Sequence, residues 1–515
     1  MTLLRPAVLT LTLLAAPVMA DTTPEAVWQL LQKGAGPALT ATTSRRGDAL
    51  VVTHGQAALD DGAVLLLPDF TLRQLPDGAV ALELPPRFPL VLDLPQKPGD
   101  PDKLTLQVAA PDLSILLRDI GPEAVDFSLR AGSVSASLDP LAPTLGVKAP
   151  RDLFLALAAA DLTLEWKSNL PEREEAFAKA AVGLGTLHLE MRIDLPEEQT
   201  QGSFAIDLSA VKADLDGFMP AGGIEALERM ETADGPQLVP LLALLDQGMR
   251  LQAALEHGPL AFVIDMPKAP DGPVATDMRL ASGDAQARFD RNGGAYDFGA
   301  KGVAMTFRGD TPELPLDEFA LSADELRYGV QVGLPTDVVT APEWSLLYRF
   351  AGITVSDELL DLADPGRILP RDPMSLILDA RGTYRPDPRL LAGGWVPGPK
   401  DLPVTEATVT LTEALVEGAG LRVEGAGDLA FDFSDRSRYI DETPVPEGKL
   451  SFLTIGANTL IERLVSLGLV GSDELSGLRF GLMFLGRPVP GQEDHLATDL
   501  EFKAGAFFLN GQKIR

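Results

Sequence analysis

Residues 187–195 read Leu187-His188-Leu189-Glu190-Met191-Arg192-Ile193-Asp194-Leu195, with a large apolar residue at every odd position and a polar or charged one at every even position. Successive side chains of a strand point to opposite faces, so this segment predicts a strand with one oily face and one wet face. The alternation recurs in Val80, Leu82 and Leu84, in Leu90, Leu92 and Leu94, and in Leu104, Leu106 and Val108. It continues in Leu162, Leu164 and Trp166, in Phe204, Ile206 and Leu208, and in Phe262, Ile264 and Met266. The later part of the chain repeats it in Val303, Met305 and Phe307, in Leu376, Leu378 and Ala380, in Leu429, Phe431 and Phe433, and in Leu496, Thr498, Leu500 and Phe502. Pro76-Asp77-Gly78, Asn292-Gly293-Gly294 and Asn510-Gly511 separate such runs and favour tight antiparallel turns. The 42 prolines fit edge strands and loops and argue against a helical protein.

Helical signals are few. Thr23 is placed to cap a helix that has Pro24 at its first position, Val27, Leu30 and Leu31 on one face beside Trp28, and Gly34 at its end. Further helices are expected at 171–183, 357–363 and 458–467, and 222–230 with 236–257 are expected to form a helical pair or one broken helix. The predicted fold is therefore mainly β: large curved antiparallel sheets, built as a sandwich or as an open half-barrel or trough, with a few short packing helices. Both halves of the chain run from strands into helices, so an N-terminal β-rich half over 21–258 and a C-terminal one over 259–515 are expected, with a duplication or one continuous sheet both open.

The first twenty residues read as an address. Arg5 supplies the positive end, residues 7–16 an apolar core, Pro17 a break, and Val18 and Ala20 the small residues before a cut between Ala20 and Asp21. That core is too short to span a bilayer, and the longest later apolar runs, 238–245 and 154–160, are shorter still. A cleaved, exported protein with no transmembrane span in its mature part is the expectation. The chain has no cysteine, so thiol catalysis, thiolate metal sites and disulfides are excluded, and stability must come from packing and sheet hydrogen bonds. A formal charge of -31 repels nucleic acid and anionic headgroups.

Recognisable chemistry is scarce. His54, His188, His257 and His495 lack the spacing that sets two ligands on one helix face; His188 belongs to the polar face of its strand, His54 and His495 to loop-like settings, and His257 to a helix end. Gly425-Ala426-Gly427 imitates a dinucleotide fingerprint, but Leu429, Phe431 and Phe433 alternate after it, so a Gly-rich turn between two strands is expected. Asp214-Leu215-Asp216-Gly217 resembles a calcium loop with Lys212 where the first ligand should stand. Paired carboxylates such as Asp60-Asp61 and Glu197-Glu198 are expected by chance in so acidic a chain. No catalytic, metal-binding or cofactor-binding residue is predicted. Arg371 and Asp372, a charged pair between Pro370 and Pro373, stand as loop candidates for a ligand contact, against a structural role as a rigid turn.

Three segments carry a family resemblance: Asp364-Pro365-Gly366-Arg367-Ile368-Leu369-Pro370-Arg371-Asp372-Pro373 with the strand from Ser375 to Asp379; the stretch from Asn458 through Leu467-Gly468-Leu469 to Asn510-Gly511-Gln512-Lys513; and Thr23-Pro24-Glu25 leading to Trp28. Together they resemble the exported alphaproteobacterial proteins grouped as "domain of unknown function 2125". The resemblance implies a periplasmic, strand-rich protein and supplies no catalytic residues. The C-terminal Asn-Gly hairpin is also similar to the ends of large periplasmic proteins of the AsmA-like type, which are associated with outer-membrane lipid homeostasis.

Sheet that alternates over so many strands needs a cover for its apolar face, and the helices are too few to supply one. Either the sheets close on each other in a dry core, or an apolar trough is left for an acyl chain or another greasy ligand. The expectation is a non-enzymatic envelope protein that handles a lipid or hydrophobic ligand. A structural or protein-binding envelope factor is the alternative, and an unrecognised periplasmic hydrolase a third.

Overall fold

The computed structural model describes residues 22–34, 39–59, 63–93, 103–118, 125–138, 154–169, 175–195, 200–231, 238–270, 272–309, 316–337, 339–392, 403–434, 439–440, 443–444 and 446–515. The proposed cleavage site at Ala20 and Asp21, Asp60-Asp61 and Glu197-Glu198 lie outside them. The fold is mainly antiparallel β with few helices, as the alternation predicts. The chain forms two compact units, Met1–Ile224 with Leu251–Thr276, and Glu225–Arg250 with Asp277–Arg515, in place of a single cut at Gly258.

The first unit begins with the helix Pro24–Gly34, whose bounds match its sequence signals. The Thr23 hydroxyl accepts the Ala26 N–H at 3.2 Å, satisfying one of the donors a helix start leaves open. Val27 and Trp28 from this helix pack with Leu50, Val52, Phe70, Leu72 and Val80 in a dry core. The strands beneath form an antiparallel meander in which three consecutive members are each broken once. Leu67-Pro68-Asp69 parts Val64–Leu66 from Phe70–Gln74, Leu84-Pro85-Pro86 parts Val80–Glu83 from Arg87–Asp93, and residues 110–113 part Lys103–Ala109 from Ser114–Arg118. Proline has no N–H to give a ladder, which accounts for two of these breaks.

The breaks share one line across the unit with left-handed residues in the unbroken strands: His54 (φ 55°), Asp161 (φ 52°) and Ala210 (φ 52°). Gly185, on the neighbouring strand, lies between the pairs Leu184–Val211 and Thr186–Ser209 and so faces Ala210. A Cβ on Gly185 would come within 2.8 Å of the Asp161 carboxylate, so the line passes there only through glycine. At this line the apolar positions change parity. Leu155 and Leu157 give way to Leu162 and Leu164, and Phe204, Ile206 and Leu208 give way to Val211 and Leu215. A left-handed residue acts as a bulge that passes over one position. On Ala49–Ala58 the effect is direct, because Leu50 and Val52 before His54 and Ala57 after it all pack into the same cluster. Leu84 touches both that cluster and the second one around Phe88, Val108 and Ala136.

The second unit is a meander from Ser282–Asp290 through Gly293–Gly309, Glu318–Gly333, Glu343–Val355, Met374–Pro386, Val404–Gly418, Leu421–Asp432 and Glu447–Ile455 to His495–Lys503. The same device recurs. Tyr296, Phe298 and Ala300 give way to Val303, Met305 and Phe307 across Gly302 (φ 58°), and Tyr348 and Phe350 to Ile353 and Val355 across Gly352 (φ 65°).

Several local expectations are corrected. The helix expected at 171–183 is the start of the strand Ala176–Leu195, paired on one edge with Phe154–Ser168 and on the other with Thr200–Met219; residues 171–174 are outside the described set. Ladders on both edges outweigh the helix preference of its alanines. The helix over 236–257 is confined to Leu238–Asp246, and Arg250–His257 is a strand. The Gly425-Ala426-Gly427 turn is the middle of one strand, Leu421–Asp432, because Gly425 makes room for the Phe452 ring across the ladder. The helix Ser472–Leu485 was not foreseen.

The dry core and the open faces should respond differently to truncation. Leu72→Ala, at a fully buried position, is expected to cost about 2–5 kcal/mol in urea unfolding. Met191→Ala, at 36% exposure on the long hairpin, should cost well under about 1 kcal/mol. Equal losses would refute the division.

Candidate functional site

One face of the second unit is apolar across five strands. Antiparallel register sets Phe298, Tyr328, Tyr348, Leu378 and Ala414 in one row. Ala300, Leu326, Phe350, Leu376 and Val416 form the row on one side of it, and Tyr296, Val330, Leu346, Ala380 and Leu411 the row on the other. Tyr328 and Tyr348 bring their rings to 4.9 Å, and Tyr296 and Tyr328 to 6.0 Å. Burial first, then the neighbouring Tyr348 and Tyr296, push the Tyr328 phenol above its ordinary pKa, so this hydroxyl stays protonated at neutral pH. Phe298, Leu376 and Val416 are 45%, 47% and 45% exposed, so the face is open at these positions, while Ala300 and Ala380 within it are buried.

Charge is kept on the reverse side. Arg327 donates to Asp297 at 3.2 Å and to Asp284 at 3.4 Å, and Arg349 to Glu413 at 3.1 Å. Gly299 and Gly329 leave room for these pairs, since a Cβ on either would lie 2.8 Å from an aspartate oxygen. Strand alternation thus separates an ion-paired face from an uncharged one.

Along Met374–Pro386 the same-face positions run Leu376, Leu378, Ala380, Gly382 and Tyr384, a distance of about 26 Å at the strand rise. At Gly382 the Trp344 indole crosses the strand; its N–H donates to the Thr408 carbonyl at 3.2 Å, and a Cβ on Gly382 would stand 2.9 Å from the indole nitrogen. Tyr384 also lines a cavity of about 310 Å³ with Leu238, Leu334, Pro335, Pro386, Leu390, Pro403 and Val404. Its hydroxyl is turned away, donating to the Gly333 carbonyl at 2.7 Å, and burial raises its pKa. The helices Leu238–Asp246 and Pro388–Ala392 contribute Leu238 and Leu390 to the wall. Arg291, which pairs with Asp246 and donates to the Pro335 carbonyl at 3.0 Å, ties the first helix to the loop.

The first unit carries a related face. Leu157, Leu189, Ile206 and Phe262 form one row, and Leu155, Met191, Phe204 and Ile264 the next. Phe204 and Phe262 meet edge to face at 5.2 Å. Apart from exposed Met191 these side chains are half-buried: they touch one another across the ladder, and no described element closes a dry core over them.

The loop candidates resolve differently from each other. Asp364, 2% exposed, accepts the Ile368 and Leu369 N–H groups at 2.9 and 2.7 Å. Arg371 donates to the Asp361 carboxylate and to the Asp364 carbonyl, both at 2.9 Å. Arg367 (φ 51°) pairs with Asp357 at 2.8 Å and Asp361 at 3.0 Å. Arg371 is thus an internal tie of a corner built around Asp364, whereas Asp372 is exposed. The Asp364-Pro365-Gly366 turn signal was in the sequence; that Asp364 is the buried centre was not.

His188 Nδ1 donates to Asp207 at 2.7 Å on the polar face, as expected. His54 lies within a strand at its left-handed break, where its N–H donates to Asp69 Oδ1 at 3.2 Å, His495 begins a strand opposite Ile455 and His257 ends one, so none has the loop or helix setting expected for it. Asp216 pairs with Lys179 at 2.9 Å across the long hairpin. Among the described residues no group of three or more His, Asp or Glu is placed to hold a metal ion, and no helix is long and apolar enough to cross a membrane. No family model, curated protein or solved structure matches the chain.

Burial pushes the Asp364 carboxyl up, but the Ile368 and Leu369 N–H donors and the Arg371 guanidinium outweigh it and hold its pKa below the ordinary value. A depressed folded-state pKa gives stability that is present above the unfolded value near about 3.9 and is lost as pH falls through the folded value. Asp364→Asn is therefore expected to lower the thermal midpoint at pH 7, with the gap to the parent narrowing below about pH 4. A gap that stays constant down to acid unfolding would contradict the assignment.

Proposed function

We propose that this chain is a non-enzymatic periplasmic envelope protein that binds an acyl chain or similar hydrophobic ligand on the apolar face of its second unit. The observation that carries this is the uncharged face from Leu376 to Tyr384, exposed at one end and sharing Tyr384 with an apolar cavity at the other. A bilayer core of about 30 Å holds two chains end to end, so one chain spans about 15 Å and fits within the track of about 26 Å. Each methylene removed from water contributes about 0.8 kcal/mol, so affinity would grow with chain length. Trp344 and the tyrosine row supply broad, rigid contact area, with phenol hydroxyls as donors to an uncharged oxygen. The site offers no nucleophile–base pair and acts by binding alone.

Export is proposed on the features of residues 1–20 and on the resemblance to one exported alphaproteobacterial family. An acidic, cysteine-free surface suits a soluble envelope protein that meets lipid through an apolar site and not through headgroup charge.

Displacement of a fluorescent acyl probe tests the site. The Phe298→Asp/Leu376→Asp variant is expected to weaken binding at least tenfold, about 1.4 kcal/mol, with an unchanged thermal midpoint because both positions are exposed. Lys301→Ala, an exposed charge nearby in sequence, should bind as the parent does. A parent that takes up no probe, or a double variant that binds equally well, would sink the proposal.

A further inference from the structure

The helix Ser472–Leu485 carries an apolar arc turned away from the protein. Met483 and Phe480, at 81% and 72%, are the most exposed large apolar side chains among the described residues, and Phe484 beside them is 52% exposed. At 100° per residue these three share one side, while half-buried Leu482 lies on the opposite one. The helix is held in place by polar contacts elsewhere. Arg479 pairs with Glu462 at 3.0 Å, the Leu485 carbonyl accepts from Thr498 Oγ1 at 3.1 Å and Asn510 Nδ2 at 2.9 Å, and Glu474 accepts the Gly471 N–H at 3.2 Å. The C-terminal end is therefore tied to Thr498 and Asn510 and the middle to Glu462, while the Glu474 contact is the helix's own cap.

We propose that this helix docks the protein on a lipid surface, lying flat with Phe480, Met483 and Phe484 sunk into the boundary between headgroups and acyl chains. Its 14 residues span about 21 Å, too short for a hydrocarbon core of about 30 Å, so it lies on the surface and does not cross. A second copy is the poorer occupant. An arc about 21 Å by 10 Å gives a footprint of roughly 200 Å², well short of the roughly 800 Å² per partner of a stable dimer. Each copy also brings a charge of -31. The helix has no free basic fringe: its charged side chains are Asp473, Glu474 and Arg479, the last committed to Glu462. The surface that fits is zwitterionic, and anionic lipid should weaken adsorption.

Flotation with phosphatidylcholine vesicles tests this, using the chain from Asp21 onwards so that residues 1–20 play no part. The parent is expected to float, and the Phe480→Ser/Met483→Ser variant to lose at least tenfold in bound fraction with an unchanged thermal midpoint. The Phe298→Asp/Leu376→Asp variant should float like the parent, which separates surface docking from ligand uptake. A parent that stays at the bottom of the gradient, a Phe480/Met483 variant that floats as well, or adsorption confined to phosphatidylglycerol vesicles would each overturn the proposal. So would a parent that sediments as a dimer which that variant dissolves, because the arc would then be an interface between copies.

Discussion

The antiparallel hydrogen-bond ladder is the constraint from which the rest of the structure follows. In the long hairpin, Ala176 faces Met219 at one end and Leu195 faces Thr200 at the other, with no slip between. None of the described side chains on Ala176–Leu195 is fully buried, so a dry core cannot be what holds this hairpin in register. A slip of one residue would move every leucine to the wet face. Dry packing is concentrated under the N-terminal helix, where Val27 and Leu72 are fully buried. Elsewhere the ladder sets the neighbours and the apolar faces follow from it.

Keeping one face apolar through strands of up to twenty residues demands a second device, the line of left-handed residues. A non-glycine residue in that conformation costs about 1–2 kcal/mol. The chain nevertheless places Asp161 and Ala210 there. Because neighbours are paired, a parity change in one strand has to be matched in the next, and the sequence does this from Leu157–Leu162 to Leu208–Val211. Glycine appears where the neighbouring strand comes close, at Gly185 under Asp161 in the first unit and at Gly352 against Asp324 in the second.

Alternation is local, which is why strands were legible, and so was the helix Pro24–Gly34 with its Thr23 cap and terminal glycine. What failed had a long-range cause. Residues 176–183 have helix-favouring alanines and became strand because ladders stand on both edges. Gly425 looked like a turn because Phe452, which its missing side chain accommodates, is distant in sequence. Ser472–Leu485 was hidden by Gly477 and Gly481, poor helix formers, and by an apolar character on nearly every side that gives no amphipathic signal. The apolar membership of the candidate site could be read from Leu376 and Leu378, but the cavity that Leu238 and Val404 close together could not. Arg371 and Asp372 drew notice as a pair, yet only the fold separates the half-buried tie from the exposed carboxylate.

The division of charge between the two faces of the second unit bears on what such a site could select. Arg327 and Arg349, the chain neighbours of Tyr328 and Tyr348, are spent on Asp297, Asp284 and Glu413 behind the sheet. A ligand on the apolar side would meet phenol hydroxyls and an indole, and no fixed charge. Discrimination would then come from length and shape, through the exposed entry at Leu376 and the finite cavity beyond Tyr384, and only weakly from the headgroup. Removing one methylene from such a contact changes affinity by a factor of only about four. A face of this kind is therefore suited to holding a class of chains, and poorly suited to choosing one member of the class.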